Sequence, residues 1–415
     1  MQRNIVSSLQ LEKIKIIKLL EPLFFGYMFY SYLAYSLQIY IPWITVAWLL
    51  LLALGSFWAG NWTKRGKILI VLMCATTGAH LLIQILVHDV PVTAPYNFPF
   101  LFWPVTGIVV YVLASRAGFM KRLAFIMFGI GLVLHFFAVS SVEGVYSRLF
   151  LNANSGIDNA NDYGIWLAFC SLIFWLWGWK EIRRASRLFF WACALLAVIM
   201  SMQTVSRTAL LSLGVACIIG MRGIPRKYWF GAFLGLGMIF LMLNYLPFFN
   251  TEIQYYQDRL NEDTGRTIIW SASIPLIEAH PWLGYGTDVL GGHNAVNVKG
   301  KILPLNSPHD PFILLWLGSG IIPVITFSLL WLMALIQSIR FRPNSPLDYD
   351  AFPLVVFGIT AMLFLNLAFA EVWCVAILAY SYVLLGSSVA KARGLSYQKK
   401  QKMDPNFHSI TGKSL

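Results

Sequence analysis

Long apolar runs alternate with short polar connectors along this 415-residue chain. A sliding apolar window predicts twelve spans: Pro22–Leu37, Ile41–Ala59, Ile68–Val87, Phe98–Ala114, Ala124–Val139, Ile165–Trp179, Phe189–Met202, Ala209–Gly220, Trp229–Leu246, Phe312–Ile336, Pro353–Phe369 and Val372–Leu385. The runs are continuously apolar rather than alternating, which suits helices and not barrel strands. The expected fold class is therefore an all-α polytopic membrane protein with about 12 transmembrane helices. One stretch breaks the pattern. Phe248–Pro311 is a long polar insertion, and a connection of that length between spans is uncommon unless it carries function. The chain divides into residues 1–247 with spans one to nine, the loop 248–311, residues 312–385 with the last three spans, and a basic tail over 386–415 that reads as disordered.

Composition supports this reading. The chain is 58% hydrophobic and 12% charged, where a soluble domain carries about 25% charged residues. The first twenty residues hold Arg3, Lys13, Lys15 and Lys18 without a small-residue cleavage site, so no removable signal peptide is expected. The net charge of +13 would suit nucleic acid if it were spread evenly. It is not. With the N-terminus inside, all 31 Lys and Arg residues except Arg148, Arg207, Arg259, Arg266, Lys299 and Lys301 fall on inside connections. The charge is a topology signal with anionic lipid headgroups as partners, and it requires no nucleic acid. Both termini are expected on the cytoplasmic side and the long loop on the other. The five cysteines all lie in apolar runs, so neither disulfides nor a cysteine metal site are expected.

As drawn, no span holds Asp, Glu, Lys or Arg, which argues against an ion-coupled transporter or a flippase with a charged cavity. His80 and His135 read as packed, neutral histidines. The outer side is richer. Arg207 stands between two apolar runs, where its guanidinium suits either lipid phosphate or a lipid-linked phosphate. Arg266 follows Asp263-Thr264-Gly265, and a helix is expected to start there, with Ile269, Ala272, Ser273 and Leu276 on one face. A guanidinium in a first helical turn also favours phosphate. His309, between Pro308 and Asp310-Pro311, suits a general base, with Asp310 a candidate to orient it. His293, in a glycine-rich setting, competes for that role. Trp282 and Tyr285 are candidates for contact with sugar faces. No HExxH or paired Cys/His spacing is present, and Asp158 and Asp162 on the outer side offer at most a weak cation site, so no metal is expected.

Three stretches resemble the O-antigen ligase family, within the superfamily of O-antigen polymerases and ligases. They are Ser206-Arg207-Thr208 opening a span, Gly265–Trp270 followed by His280-Pro281-Trp282-Leu283-Gly284-Tyr285-Gly286, and His309 with Gly320 beyond it. This chain has Asp310 where the family usually has Asn, Ser or Gln, and Pro323 where a second glycine is common. The resemblance implies a GT-C-type fold in a bacterial inner membrane, with the site facing the periplasm. It implies transfer of a polymerised glycan from an undecaprenyl diphosphate carrier to a sugar hydroxyl of lipid A–core, without metal or other cofactor. On the matching positions, Arg207 and Arg266 would bind the diphosphate and His309 would activate the acceptor. The alternatives are an O-antigen polymerase and, from another class, a lipid-linked sugar flippase or exporter.

Overall fold

The structure, a computed structural model, describes residues 2–36, 41–92, 97–136, 138–143, 146–151, 160–204, 206–223, 266–287, 295–298, 301–304, 310–340, 351–363 and 371–383. The first eight helices cover the first eight apolar runs, with α1 starting well ahead of the expected Pro22: α1 Gln2–Ser36, α2 Pro42–Ala59, α3 Lys64–Val87, α4 Phe98–Ala114, α5 Phe119–His135, α6 Ala160–Lys180, α7 Arg184–Gln203 and α8 Arg207–Gly220. The ninth apolar run, 229–246, lies outside the described residues. Then come α9 Arg266–Ala279, α10 Pro311–Ser319, α11 Ile321–Arg340, α12 Ala351–Met362 and α13 Val372–Val383. Two short antiparallel hairpins, β1 Ala138–Glu143 with β2 Tyr146–Leu151 and β3 Ala295–Val298 with β4 Lys301–Pro304, are added to this helical frame in two of the connections.

Four helices, α2, α3, α7 and α11, are long and apolar enough to cross a membrane, and α4, α8, α12 and α13 are shorter apolar helices. The chain is a multi-pass membrane protein. Leu51, Leu54 and Phe57 of α2 are each more than two-thirds exposed, an apolar surface that lipid would cover. By contrast, α6 is buried on all sides from Tyr163 to Phe174, as a helix apolar all round its circumference must be. It is the central post of the bundle.

The tenth apolar run is not one span. It breaks at Gly320, which has φ +74 and closes α10 by donating its N–H to the Trp316 carbonyl at 2.8 Å. Phe312 and Phe327 lie on either side of this break, yet their ring centroids are 5.2 Å apart. In a continuous helix fifteen residues would separate them by about 22 Å. So α10 folds back along α11, and α11 alone is the crossing helix. The physical cause is the glycine: a left-handed residue stops the helix, and any side chain there would collide with the chain above it.

Basic residues anchor the other end of the bundle. Glu21, buried within α1, accepts from both Arg116 of the α4–α5 turn and Arg122 of α5. Arg222, after α8, donates to the Ser338 carbonyl at 3.3 Å and lies 4.1 Å from the centroid of the Phe352 ring.

Candidate active site

Arg207 is the first residue of α8. The helix between Gln203 and Arg207 is interrupted, and Ser206 caps the new start by accepting the Ala209 N–H at 3.3 Å. This cap is seated on the central helix. Ser201 donates to the Gly164 carbonyl at 2.8 Å, and a Cβ at Gly164 would meet Thr204 Oγ1 at 2.4 Å and Ser206 Cβ at 2.8 Å. Only a glycine in α6 lets the interruption lie this close. The half-buried Arg207 is thus held by the bundle core rather than by a loop.

Arg266 opens α9, so the expected helix start is found. Along it Ser273 is fully buried, Ile269, Ala272 and Leu276 are half-buried, and Ile274, Pro275 and Glu278 are exposed. Leu276 and Ile277 pack against Ile313, Leu314 and Leu317 of α10. The helix that starts with Arg266 therefore packs on the helix that follows His309.

What joins α9 to α10 is the turn His280–Gly286. It lies over the tip of the α10–α11 hairpin. Pro281 O accepts from Ile321 N at 3.0 Å and from the Trp316 indole at 3.1 Å. Tyr285 N donates to Leu317 O at 2.7 Å and Gly286 N to Gly318 O at 3.0 Å. The approach is so close that a Cβ at Gly320 would meet Trp282 O at 2.0 Å, and one at Gly284 would meet Leu317 O at 2.5 Å. Gly284 and Gly286 both have positive φ. The glycines of the motif are there for this clasp. Of the two aromatic candidates, Trp282 is 70% exposed, with its ring available to a ligand. Tyr285 packs edge-on against His280, with centroids 4.4 Å apart.

Beneath the clasp runs a buried polar network that the sequence reading passed over. Gln84, near the end of α3, donates to Gly318 O at 2.6 Å and Ser319 Oγ at 2.7 Å. Its carbonyl accepts from Thr287 N at 2.8 Å and from Thr287 Oγ1 at 2.9 Å. Asn97 donates to Pro91 O, which orients its amide so that Oδ1 faces His80 Nε2 at 3.1 Å. That ring nitrogen must then donate, and Nδ1 accepts from Ser319 Oγ at 2.7 Å. His80 is a neutral, packed histidine, as expected. The signal in the sequence was a glutamine and a histidine four residues apart in an apolar run, which places them on one helix face.

Asp310 is the N-cap of α10: one carboxylate oxygen accepts from Phe312 N at 2.7 Å and Ile313 N at 3.1 Å. Burial pushes its carboxyl up from the usual range, and those two N–H groups pull it partly back. Asp310, the candidate to orient His309, thus has a structural role as the helix cap. His309, His293 and the side chain of Arg266 lie outside the described residues.

A second buried acid is found at Glu371, just ahead of α13. It accepts from the Tyr32 hydroxyl at 3.3 Å, and burial pushes its carboxyl up to about 7. Tyr32 in turn stacks edge-on against Trp166 of α6, two residues from Gly164, with centroids 4.5 Å apart. Glu371 therefore stands at the same end of α6 as Arg207.

The sequence profile of the family described as O-antigen ligase matches residues 192–328. Over those residues the chain is similar to the O-antigen ligase family. No curated protein matches the chain. The matched span runs from α7 into α11. It holds Arg207, Arg266, the clasp, His309, Asp310 and Gly320, all of the residues that carried the resemblance. Similarity to the O-antigen ligase family points to glycosyltransferase-like chemistry on lipid-linked glycans.

Proposed function

We propose that the chain is an O-antigen ligase of GT-C type, acting at the periplasmic face of a bacterial inner membrane. It would move a polymerised glycan from undecaprenyl diphosphate to a sugar hydroxyl of lipid A–core. The leaving group is a lipid diphosphate whose negative charge grows as the glycosidic bond breaks. Arg207 and Arg266, each at the first position of a helix, would stabilise that charge through bidentate hydrogen bonds helped by the helix dipole. His309 would take the proton of the acceptor hydroxyl, on the far side of the anomeric carbon, giving inversion by direct displacement. No step in this scheme needs a metal.

The observation that best supports the reading is the clasp. It binds the end of the helix begun by Arg266 to the hairpin whose first residue follows His309 and Asp310. Residues 43 positions apart in sequence are thereby carried on two packed helices. Such fixing of reacting groups is what a two-substrate displacement needs.

The test is deletion of the gene and complementation with His309→Ala. Loss of long-chain lipopolysaccharide with accumulation of polymerised carrier-linked glycan supports the ligase. Accumulation of single repeat units would mean a polymerase. A normal lipopolysaccharide ladder from His309→Ala at native expression would remove His309 from the role of base.

A further inference from the structure

Glu21 and Glu371 are both enclosed by the bundle, and they are held differently. Glu21 accepts from the guanidiniums of Arg116 and Arg122. Glu371, at the other end, has no ion-pair partner among the described residues, and its side chain accepts only from the Tyr32 hydroxyl, at 3.3 Å. A carboxylate presents about four lone-pair sites, so most of its accepting capacity is unused. An acid so placed in a membrane bundle is costly and by default marks a functional site. Enclosure by protein is enough to push the carboxyl up to about 7, yet the residue is not sealed. Glu371 is half-buried, whereas Val372 and Trp373 beside it are buried. Its position is fixed from two sides. Its backbone carbonyl starts α13 by accepting from Cys374 N at 3.0 Å and Val375 N at 3.1 Å. Its partner Tyr32 packs edge-on against Trp166 of α6, and the same end of α6 seats, at Gly164, the cap that begins α8 with Arg207.

We infer that Glu371 is a binding residue for a sugar hydroxyl of a lipid substrate, at the end of the bundle where Arg207 takes the phosphate. The inference deepens the proposed function, on which its choice of ligand rests. Those substrates bring three kinds of surface to this end of the bundle. A diphosphate is repelled by a carboxylate. A polyprenyl or acyl chain would leave the carboxylate's lone pairs unmet. A sugar hydroxyl donates, and a hydrogen bond to an ionised acceptor is roughly twice as strong as a neutral one. Carboxylate and guanidinium thus divide the ligand between them, the acid on the sugar and the base on the leaving group. The hydroxyl belongs either to the carrier-linked glycan or to the core of the lipid acceptor.

The experiment measures lipid binding by the full chain in nanodiscs at pH 8, where the carboxyl is mostly ionised. The probes are undecaprenyl diphosphate with and without a glycan repeat unit, and lipid A with and without its core sugars. Glu371→Leu should weaken binding of one sugar-bearing lipid about tenfold or more, the worth of a hydrogen bond to a charged group, and leave its stripped counterpart unchanged. The pair that responds identifies the source of the hydroxyl. Glu371→Gln keeps an acceptor oxygen and should lose less. A packing role would weaken all the lipids alike, and a carboxyl satisfied by water alone would weaken none. Either result would overturn the inference. Where Glu371→Leu does not fold, Glu371→Gln decides: a loss confined to one sugar-bearing lipid supports the binding role, and its absence overturns it. In turnover assays the same variant should raise KM for that lipid more than it lowers kcat. Binding needs no turnover, so the two ideas fail separately. Sugar-selective binding through Glu371 in a protein that does not ligate retains the binding residue and removes the ligase. Confirmed ligation with no sugar-selective loss removes the binding residue alone.

Discussion

Gln84 holds Thr287 through both the backbone N–H and the side-chain hydroxyl, at 2.8 and 2.9 Å, while its amide nitrogen holds the tip of the α10–α11 hairpin. One side chain of α3 thus fastens both halves of the clasp. Gln84→Leu keeps the volume but leaves Thr287 N without its partner, while Gly318 O keeps only the Gly286 N–H. A buried group so orphaned costs about 1–3 kcal/mol. Thermal unfolding in detergent should show the loss, and amides of residues 282–287 should exchange faster.

Gly320→Ala should be worse. Positive φ alone costs about 1 kcal/mol or more for a non-glycine residue, and the added methyl would sit on the Trp282 carbonyl. The expected outcome is a shifted clasp, poor yield of folded protein, and ligation lost even where protein is recovered. Gly214→Ala, where a methyl meets nothing within 4 Å, is the matched control and should be neutral.

Arg207→Lys keeps the charge and loses the fork. If the diphosphate is gripped at two oxygens, turnover should fall by about tenfold or more. Near wild-type turnover in a lipopolysaccharide assay would show that a point charge is enough.

The carboxyl of Glu371 gives a pH dependence with a definite sign. Its folded pKa of about 7 lies above the unfolded carboxylate value of roughly 4.3. The folded state thus binds the proton more tightly, and stability falls as pH rises through that interval. Glu371→Gln can still accept from Tyr32 but has no charge to desolvate. Its stability relative to wild type should rise between pH 5 and 8, read as the difference in unfolding midpoint. An unchanged difference across that range would mean that the carboxyl titrates normally.

At the opposite end, Glu21→Gln leaves Arg116 and Arg122 facing a neutral amide. Both guanidiniums reach solvent, so the loss is smaller than for a fully buried pair, about 1–3 kcal/mol.

Much of the frame was legible. The helix start at Arg266 was readable from its amphipathic run, a local signal. So was the packed state of His80. The reversal at Gly320 was not, because periodicity cannot tell an apolar run that continues from one that doubles back. Only the ring pair Phe312–Phe327, a tertiary contact, distinguishes them. In the sequence Glu371 is a single acid between the last two apolar runs. Its burial depends on Tyr32, 339 positions away. The Gln84 network was hidden for the same reason: each member is an ordinary polar residue until its partners arrive from other helices.

The reversal makes α10 a measuring rod. Its nine residues set how far the Asp310 end reaches back from the glycine corner, at about 1.5 Å per residue. One residue added within it would push that end further along α11 and swing it by about 100°. A single-residue insertion there should therefore be felt more sharply than many substitutions, since it would shift the Asp310 cap relative to α11.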